Sequence, residues 1–369
     1  MLHKTRLRFS SLFETQTARV MFTLLLAFAA ASLCVMLRTP LPWMIGPLLV
    51  TSLLSMLSGA THSWTPLRNG GQWVIGSALG LYFTPQVVAL VASLWWAVAL
   101  NVAWALGLGL TFGAWLYRIH HGPGRFHVRG LSRTTTYFAA PIGAASEMTL
   151  MAERHGAQTD LVASAHSLRV LLVALIIPFG LQWAGLHGLD TTLPSARVVH
   201  WPGLALLTLL TGLGCGAMVK LGRTNPWFLG ALLVSLLLTA NDITLSSIPP
   251  FLTNAAQLVI GVSLGVRFTR GFAHMAPRWL GSVALSTVVM ILLCAGFAWL
   301  LAAAAPLHWA TLLLATSPGG IAEMAITAKV LQLGVPVVTA FHVTRLAAVL
   351  MLAEPVYRWV YARQNIKSA

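Results

Sequence analysis

The sequence predicts an all-α polytopic membrane protein made of two inverted-topology repeats, with about ten spans plus two re-entrant or broken helices. Three observations carry that expectation. First, 57% of the 369 residues are hydrophobic and only 8% are charged, where a soluble domain has roughly 25% charged residues. Eight acidic residues cannot provide a polar shell for a chain of this length. Second, apolar segments of spanning length follow one another with short breaks. Third, the second half of the chain repeats the first. The formal net charge of +15 would suggest nucleic acid in a soluble protein, but here it must be read position by position.

The apolar segments run in order. In the first half they are about Val20–Leu37, Leu41–Ser58, Gly71–Phe83, Val87–Tyr117, a broken stretch at Thr134–Glu153, and Leu161–Gly185. The series restarts at about Val199–Val219, Pro226–Ala240, Ala255–Phe268, Pro277–Ala305, Leu307–Val330 and Val335–Tyr361. A helix crosses the hydrocarbon with about 20 residues, and most segments meet that length. This gives a tail at 1–19, a first repeat at 20–185, a linker at 186–198, a second repeat at 199–361 and a tail at 362–369. The basic N-terminal tail lacks a clear cleavage site after its apolar run and reads as a cytoplasmic tail with a first span rather than a signal peptide.

The repeat is visible in polar and glycine positions. Pro42-Trp43-Met44-Ile45-Gly46 recurs as Pro226-Trp227-Phe228-Leu229-Gly230. Asn69, Gln72, Gly76 and Gly80 recur as Asn254, Gln257, Gly261 and Gly265, an offset of 185 residues. Gly143, Glu147, His166 and Arg169 recur as Gly319, Glu323, His342 and Arg345, an offset of 176. Basic residues mark cytoplasmic loops, and they alternate between the halves. Lys4, Arg6, Arg8 and Arg19 precede the first repeat, and Arg118, Arg125, Arg129 and Arg133 flank its fourth loop. In the second half that loop has no Lys or Arg, whereas Arg267, Arg270 and Arg278 mark the loop before it and Arg358, Arg363 and Lys367 the end. Corresponding loops therefore fall on opposite sides, as in an inverted repeat. Inversion needs an odd number of crossings per repeat, which favours a re-entrant hairpin for the broken segment; a broken crossing helix, with about twelve spans, is the alternative.

The broken segments hold the candidate site. Pro141 and Gly143 interrupt the first, and Pro318, Gly319 and Gly320 the second. Proline and glycine free backbone polar groups, and at membrane depth these are tolerated only inside protein or beside a water-filled cavity. Each following helix N-terminus suits an anion. Glu147 and Glu323, two of the eight acids, follow the breaks, next to Ser146 and after Ser317. An intramembrane carboxylate is a site candidate by default. His166 with Arg169, and His342 with Arg345, share a helix face by their i, i+3 spacing. A turn near Gly156 brings Glu147 opposite the first pair. Two readings are open: a Glu–Arg pair that staples neighbouring segments, or a site where Arg binds an anion and Glu or His carries a proton. Asn69, Gln72, Asn254 and Gln257 could cap a short helix, bond a neighbour or line a path.

The remaining features are structural in character. Cys34, Cys215 and Cys294 lack any CxxC spacing and read as small buried hydrophobes. Many tryptophans sit near segment ends, as interfacial anchors do. The glycines of Leu106–Gly113 and Leu210–Gly216 point to close helix packing. No metal-ligand or cofactor motif is present.

The repeated unit with Pro/Gly, Glu-Met and His-x-x-Arg (Glu147-Met148, His166 and Arg169; Glu323-Met324, His342 and Arg345) resembles the membrane AbrB-duplication family. The resemblance covers about Arg19 to Tyr361. In the first copy Pro141 is one position early and Ala144 replaces the second glycine. Family members are bacterial inner-membrane proteins named either as AbrB-type regulators or as ammonia monooxygenases. At fold level the family is similar to the inverted-repeat cation/proton antiporters and anion transporters, an analogy rather than a site argument. The resemblance implies a bacterial inner membrane location, and the alternation of basic loops puts both termini on the cytoplasmic side. An oxygenase would need metal ligands or a cofactor site, and a direct DNA binder would need a soluble reading module; neither is legible. The expectation is therefore a non-enzymatic secondary transporter of a small anionic or zwitterionic solute, working by alternating access with a proton, without cofactor. The alternative is a non-transporting membrane sensor or regulator affecting gene expression indirectly. Expected partners are the lipid bilayer and a small solute, not nucleic acid; a homo-oligomer is compatible with the sequence.

Overall fold

The computed structural model describes residues 16–57, 61–121, 131–143, 145–188, 198–269, 271 and 277–362. Lys4, Arg6, Arg8, Arg125, Arg129, Arg270, Arg363 and Lys367 lie outside them, as do most of both tails and of the linker. The described residues contain fifteen α-helices and no strand. They are α1 Gln16–Met36, α2 Pro42–Leu57, α3 Thr65–Gly80, α4 Pro85–Ser93, α5 Trp95–His121, α6 Arg133–Ala139, α7 Ala145–Arg154 and α8 Thr159–Trp183. The second half adds α9 Trp201–Lys220, α10 Pro226–Ala240, α11 Pro250–Gly265, α12 Pro277–Ala302, α13 Trp309–Thr316, α14 Ile321–Val330 and α15 Val335–Tyr357, ending in a π-helical turn at Arg358–Ala362.

The ten expected crossings divide into two classes. Six helices (α1, α5, α8, α9, α12 and α15) are long and apolar enough to span a membrane. The other four, α2, α3, α10 and α11, have 15 or 16 residues. At 1.5 Å per residue they reach about 24 Å, short of a hydrocarbon core of about 30 Å. Two boundaries also differ from expectation. The third segment begins at Thr65 rather than Gly71 because Pro66 starts the helix, with its fixed φ and missing N–H placed where no donor is needed. The fourth segment is two helices, α4 and α5, parted at Leu94; there the Ser93 hydroxyl donates to Leu90 O and competes with the helical ladder.

The helices sort into two compact units that cut across the sequence repeats. The first unit takes α1–α3 from one repeat and α9–α11 from the other. The second takes α4–α8 and α12–α15. In the first unit the repeats interlock through glycine. A Cβ on Gly76 would strike Phe228 O of α10, and a Cβ on Gly261 would strike Met44 O of α2. One turn on, Gly80 meets Ser235 and Gly265 meets Thr51. Phe228 is the repeat mate of Met44, and Gly261 of Gly76, so each repeat offers the same groove to the other. That reciprocity is what a two-fold relation demands. Small residues four apart let helices approach to backbone contact, the packing available where lipid removes the hydrophobic drive. Gly46 and Gly230 do the same within each repeat, against Ala30 O and Gly214 O.

The surface matches a membrane environment. α1 and α9 keep most of their apolar surface exposed, whereas α8 and α15 are about half buried. Trp95, Trp183 and Trp201 are exposed at helix ends, as interfacial anchors are. Cys215 and Cys294 are buried and Cys34 is half-buried.

Candidate functional site

Both broken segments lie in the second unit and are built alike. Ser132 starts α6 by accepting Thr135 N, and His308 starts α13 by accepting Ala310 N through Nδ1. Each helix then stops within two or three turns. Pro141 and Pro318 cannot continue the ladder, and Gly143 takes φ +105°, a conformation costly for any residue with a Cβ. The chain resumes as α7 and α14. Each of these carries its glutamate, Glu147 or Glu323, in the first turn, where a carboxylate complements the helix dipole.

The carbonyl ends of α6 and α13 are held by the long helices that follow. His166 Nε2 donates to Phe138 O at 2.9 Å, and Arg169 donates to Ala139 O and Pro141 O, both at 2.6 Å. His342 Nε2 donates to Leu314 O at 2.8 Å, and Arg345 to Ser317 O at 2.6 Å and Gly319 O at 2.7 Å. Arg345 Nη2 also lies 2.9 Å from His342 Nδ1. An arginine nitrogen can only donate, so Nδ1 accepts and the proton sits on Nε2. The turn at Gly156 (φ +66°) that folds α7 back onto α8 lies where the sequence placed it.

These contacts change the roles read from sequence. Both arginines close orphan carbonyls at a helix C-terminus, where a cation also complements the dipole. Neither pairs with a carboxylate among the described residues, so the Glu–Arg staple is not what joins the segments. His342 has both ring nitrogens committed and is 0% exposed, which removes it from proton carriage. The Ser317 hydroxyl donates to Leu314 O within its own turn. Glu323 is buried with its carboxylate folded over Gly320, where a Cβ would collide with it; a Cβ on Gly319 would meet Met324. Glu147 is half-buried. The side chain of Ser146 lies outside the described residues.

The two breaks sit at similar depth. Gly109, near the middle of α5, lies against Pro141, and Thr316 Oγ1 donates to Cys294 O on α12, which packs against α5. Arg169 and Arg345 are both buried in this unit. Each keeps Nε buried with no hydrogen-bond partner among the described residues. The centre of the second unit thus holds two buried cations with a free N–H apiece and a carboxylate in the first turn after each break. Among the described residues no three His, Cys, Asp or Glu side chains gather as a metal site.

Comparison with known proteins fits this duplicated unit. The family model described as "Transition state regulatory protein AbrB" matches residues 43–361, which includes both breaks. The chain belongs to the AbrB family. Among its relatives, "Uncharacterized protein YhjN" of Bacillus subtilis (strain 168) is 25% identical over 344 residues, spanning 86% of this chain and 87% of that one. "Putative regulator AbrB" of Escherichia coli (strain K12) is 25% identical over 335 residues, spanning 89% and 93%. No solved structure gives a significant match.

In this AbrB-family chain Asn69, Gln72, Asn254 and Gln257 belong to the first unit, in the interior of α3 and α11. They do not cap those helices, whose N-caps are Trp64 and Pro249. A pair that the sequence reading passed over is Thr135 and Thr311. Thr135 Oγ1 accepts Gln158 N at 3.1 Å, and Thr311 Oγ1 accepts Gly334 N at 3.3 Å, tying each long helix start to the short helix before the break. Both donors and both acceptors obey the 176-residue offset, the signal that could have revealed them. Changing Thr135 or Thr311 to Val is expected to cost about 1 kcal/mol each, read as a lower midpoint of thermal unfolding in detergent. An unchanged midpoint for both would show that these ties carry no stability.

Proposed function

We propose that this AbrB-family protein is a secondary transporter of a small anionic or zwitterionic solute, working by alternating access, with a proton as the coupling ion. The observation that carries this reading is the pair of matched helix breaks whose ends gather Arg169, Arg345, Glu147 and Glu323 in one unit. Discontinuous helices in inverted-repeat carriers place polar helix ends at the bilayer midplane. The unpartnered Arg Nε groups offer donors to a carboxylate or similar anion. Glu147 and Glu323, whose charge is expensive in this setting, are the proton carriers. No step calls for a cofactor, and we read the protein as a carrier rather than an enzyme. On this reading it sits in the bacterial cytoplasmic membrane with both termini inside, supported by the family resemblance for the membrane and by the alternation of basic loops for the termini.

The test is solute-driven proton movement in proteoliposomes, followed with a trapped pH dye over small carboxylates and amino acids. Glu323→Gln keeps the shape of the side chain but not its charge. It is expected to abolish proton flux while the protein still folds. A wild-type flux that survives in both Glu147→Gln and Glu323→Gln would end the assignment of the proton. The regulator reading draws on the family description and the name of the Escherichia coli relative; it predicts no flux for any solute.

A further inference from the structure

Asn101 is 0% exposed, and neither its amide oxygen nor its amide nitrogen has a hydrogen-bond partner among the described residues. It lies within α5, six residues past Trp95. An amide buried without partners costs several kcal/mol, and buried polar side chains almost always find them. One turn on lies Trp104, whose buried indole Nε1 faces the Cys294 thiol, a weak acceptor.

The two share one helix face with Ala105 and Leu108, by the i, i+3, i+4, i+7 spacing. That face packs against Ile142 of the first break and Met290 and Cys294 of α12. Trp104 stacks on Phe297 with ring centroids 4.6 Å apart, and His120 meets Trp279 at 5.5 Å. α5 and α12 therefore run antiparallel, which puts Asn101 at the level of Ala298 and Leu301, both apolar and buried. From there the face descends through Trp104 to Cys294. The carbonyl of Cys294 takes Thr316 Oγ1 beside the second break, where Arg345 holds Ser317 O. Among the described residues the unpartnered amide of Asn101 and the unpartnered Nε of Arg345, with Trp104 and Cys294 between them, thus mark one line along α5 to the break.

We propose that this face of α5 lines a hydrated route to the helix breaks, with Asn101 as its first polar contact for a small polar solute. The inference rests on the transport reading for the identity of what passes. A neutral amide offers an acceptor and donors at once. It suits a solute carrying both, such as an amino acid or a carboxylic acid, and fixes no charge that would compete with Arg345.

The test needs no known solute. In a chain with Cys34, Cys215 and Cys294 changed to Ala, Asn101→Cys is probed in intact proteoliposomes with a small water-soluble methanethiosulfonate reagent. Labelling is expected at Asn101→Cys and not at Ala27→Cys, a buried apolar position of α1. Labelling of Asn101→Cys only after unfolding in SDS would overturn the route. Separately, Asn101→Leu is expected to melt at or above the wild-type temperature, because it removes an unpaired amide. A lower melting temperature would show that Asn101 has a structural partner and would also overturn it. Flux without labelling removes this proposal and spares the transporter; labelling without flux does the reverse.

Discussion

Arg345→Lys is expected to destabilise the protein by about 2–3 kcal/mol and to abolish any flux. The guanidinium holds Ser317 O, Gly319 O and His342 Nδ1 at once. A lysine ammonium keeps the charge but not the planar fork that reaches two carbonyls in parallel. Hydrogen bonds from a charged donor are worth about 1.5–3 kcal/mol each, and a buried carbonyl left unpaired adds a penalty of similar size. Arg345→Ala should therefore cost more, about 4 kcal/mol. Arg169→Lys should follow the same pattern, since Ala139 O and Pro141 O depend on it. The measurement is thermal or denaturant unfolding in detergent micelles. If Arg345→Lys unfolded with the wild-type midpoint, the arginine would not be the clamp of the second break, and its role would return to solute binding alone.

Gly76→Val and Gly261→Val are each expected to lower stability by about 3 kcal/mol, the upper part of the range for overpacking. At each site the added carbon meets a backbone carbonyl, Phe228 O or Met44 O, and backbone cannot move aside as a side-chain tip can. Because the two contacts are repeat mates, their effects should be similar in size. A control at Gly107, where a Cβ meets nothing within 4 Å, should be nearly neutral when changed to Ala. Helix propensity even favours that change. Melting temperatures of the three variants in one detergent decide the matter. Equal stability for all three would mean that the α2–α11 and α3–α10 crossings are looser than the structure places them.

Some of this was legible in the chain. The duplicated Pro/Gly breaks, Glu147 and Glu323 in the following turns, and the fold-back at Gly156 could be read from spacing because proline, glycine and buried charge act locally. The i, i+3 spacing placed His166 beside Arg169 and His342 beside Arg345 on one helix face. What they bind was not legible. Sequence suggested the nearest opposite charge, Glu147 or Glu323, but the groups within reach of each guanidinium are carbonyls some 26 to 30 residues back along the chain. Backbone carbonyls occur at every residue and leave no mark in a sequence. Asn101 was overlooked for the same reason: an asparagine gains meaning only when its buried amide proves to lack protein partners.

The sequence by itself determined that the chain is an α-helical membrane protein with a duplicated unit and two matched helix breaks, because composition and periodicity record the solvent each residue meets. Only the tertiary structure decided that the repeats do not fold as two halves. α1–α3 pair with α9–α11, and both breaks fall in the other unit. The reason is geometric: Gly76 and Gly261 fit the partner repeat's helix rather than their own, and one linear sequence cannot say which groove a small residue will enter.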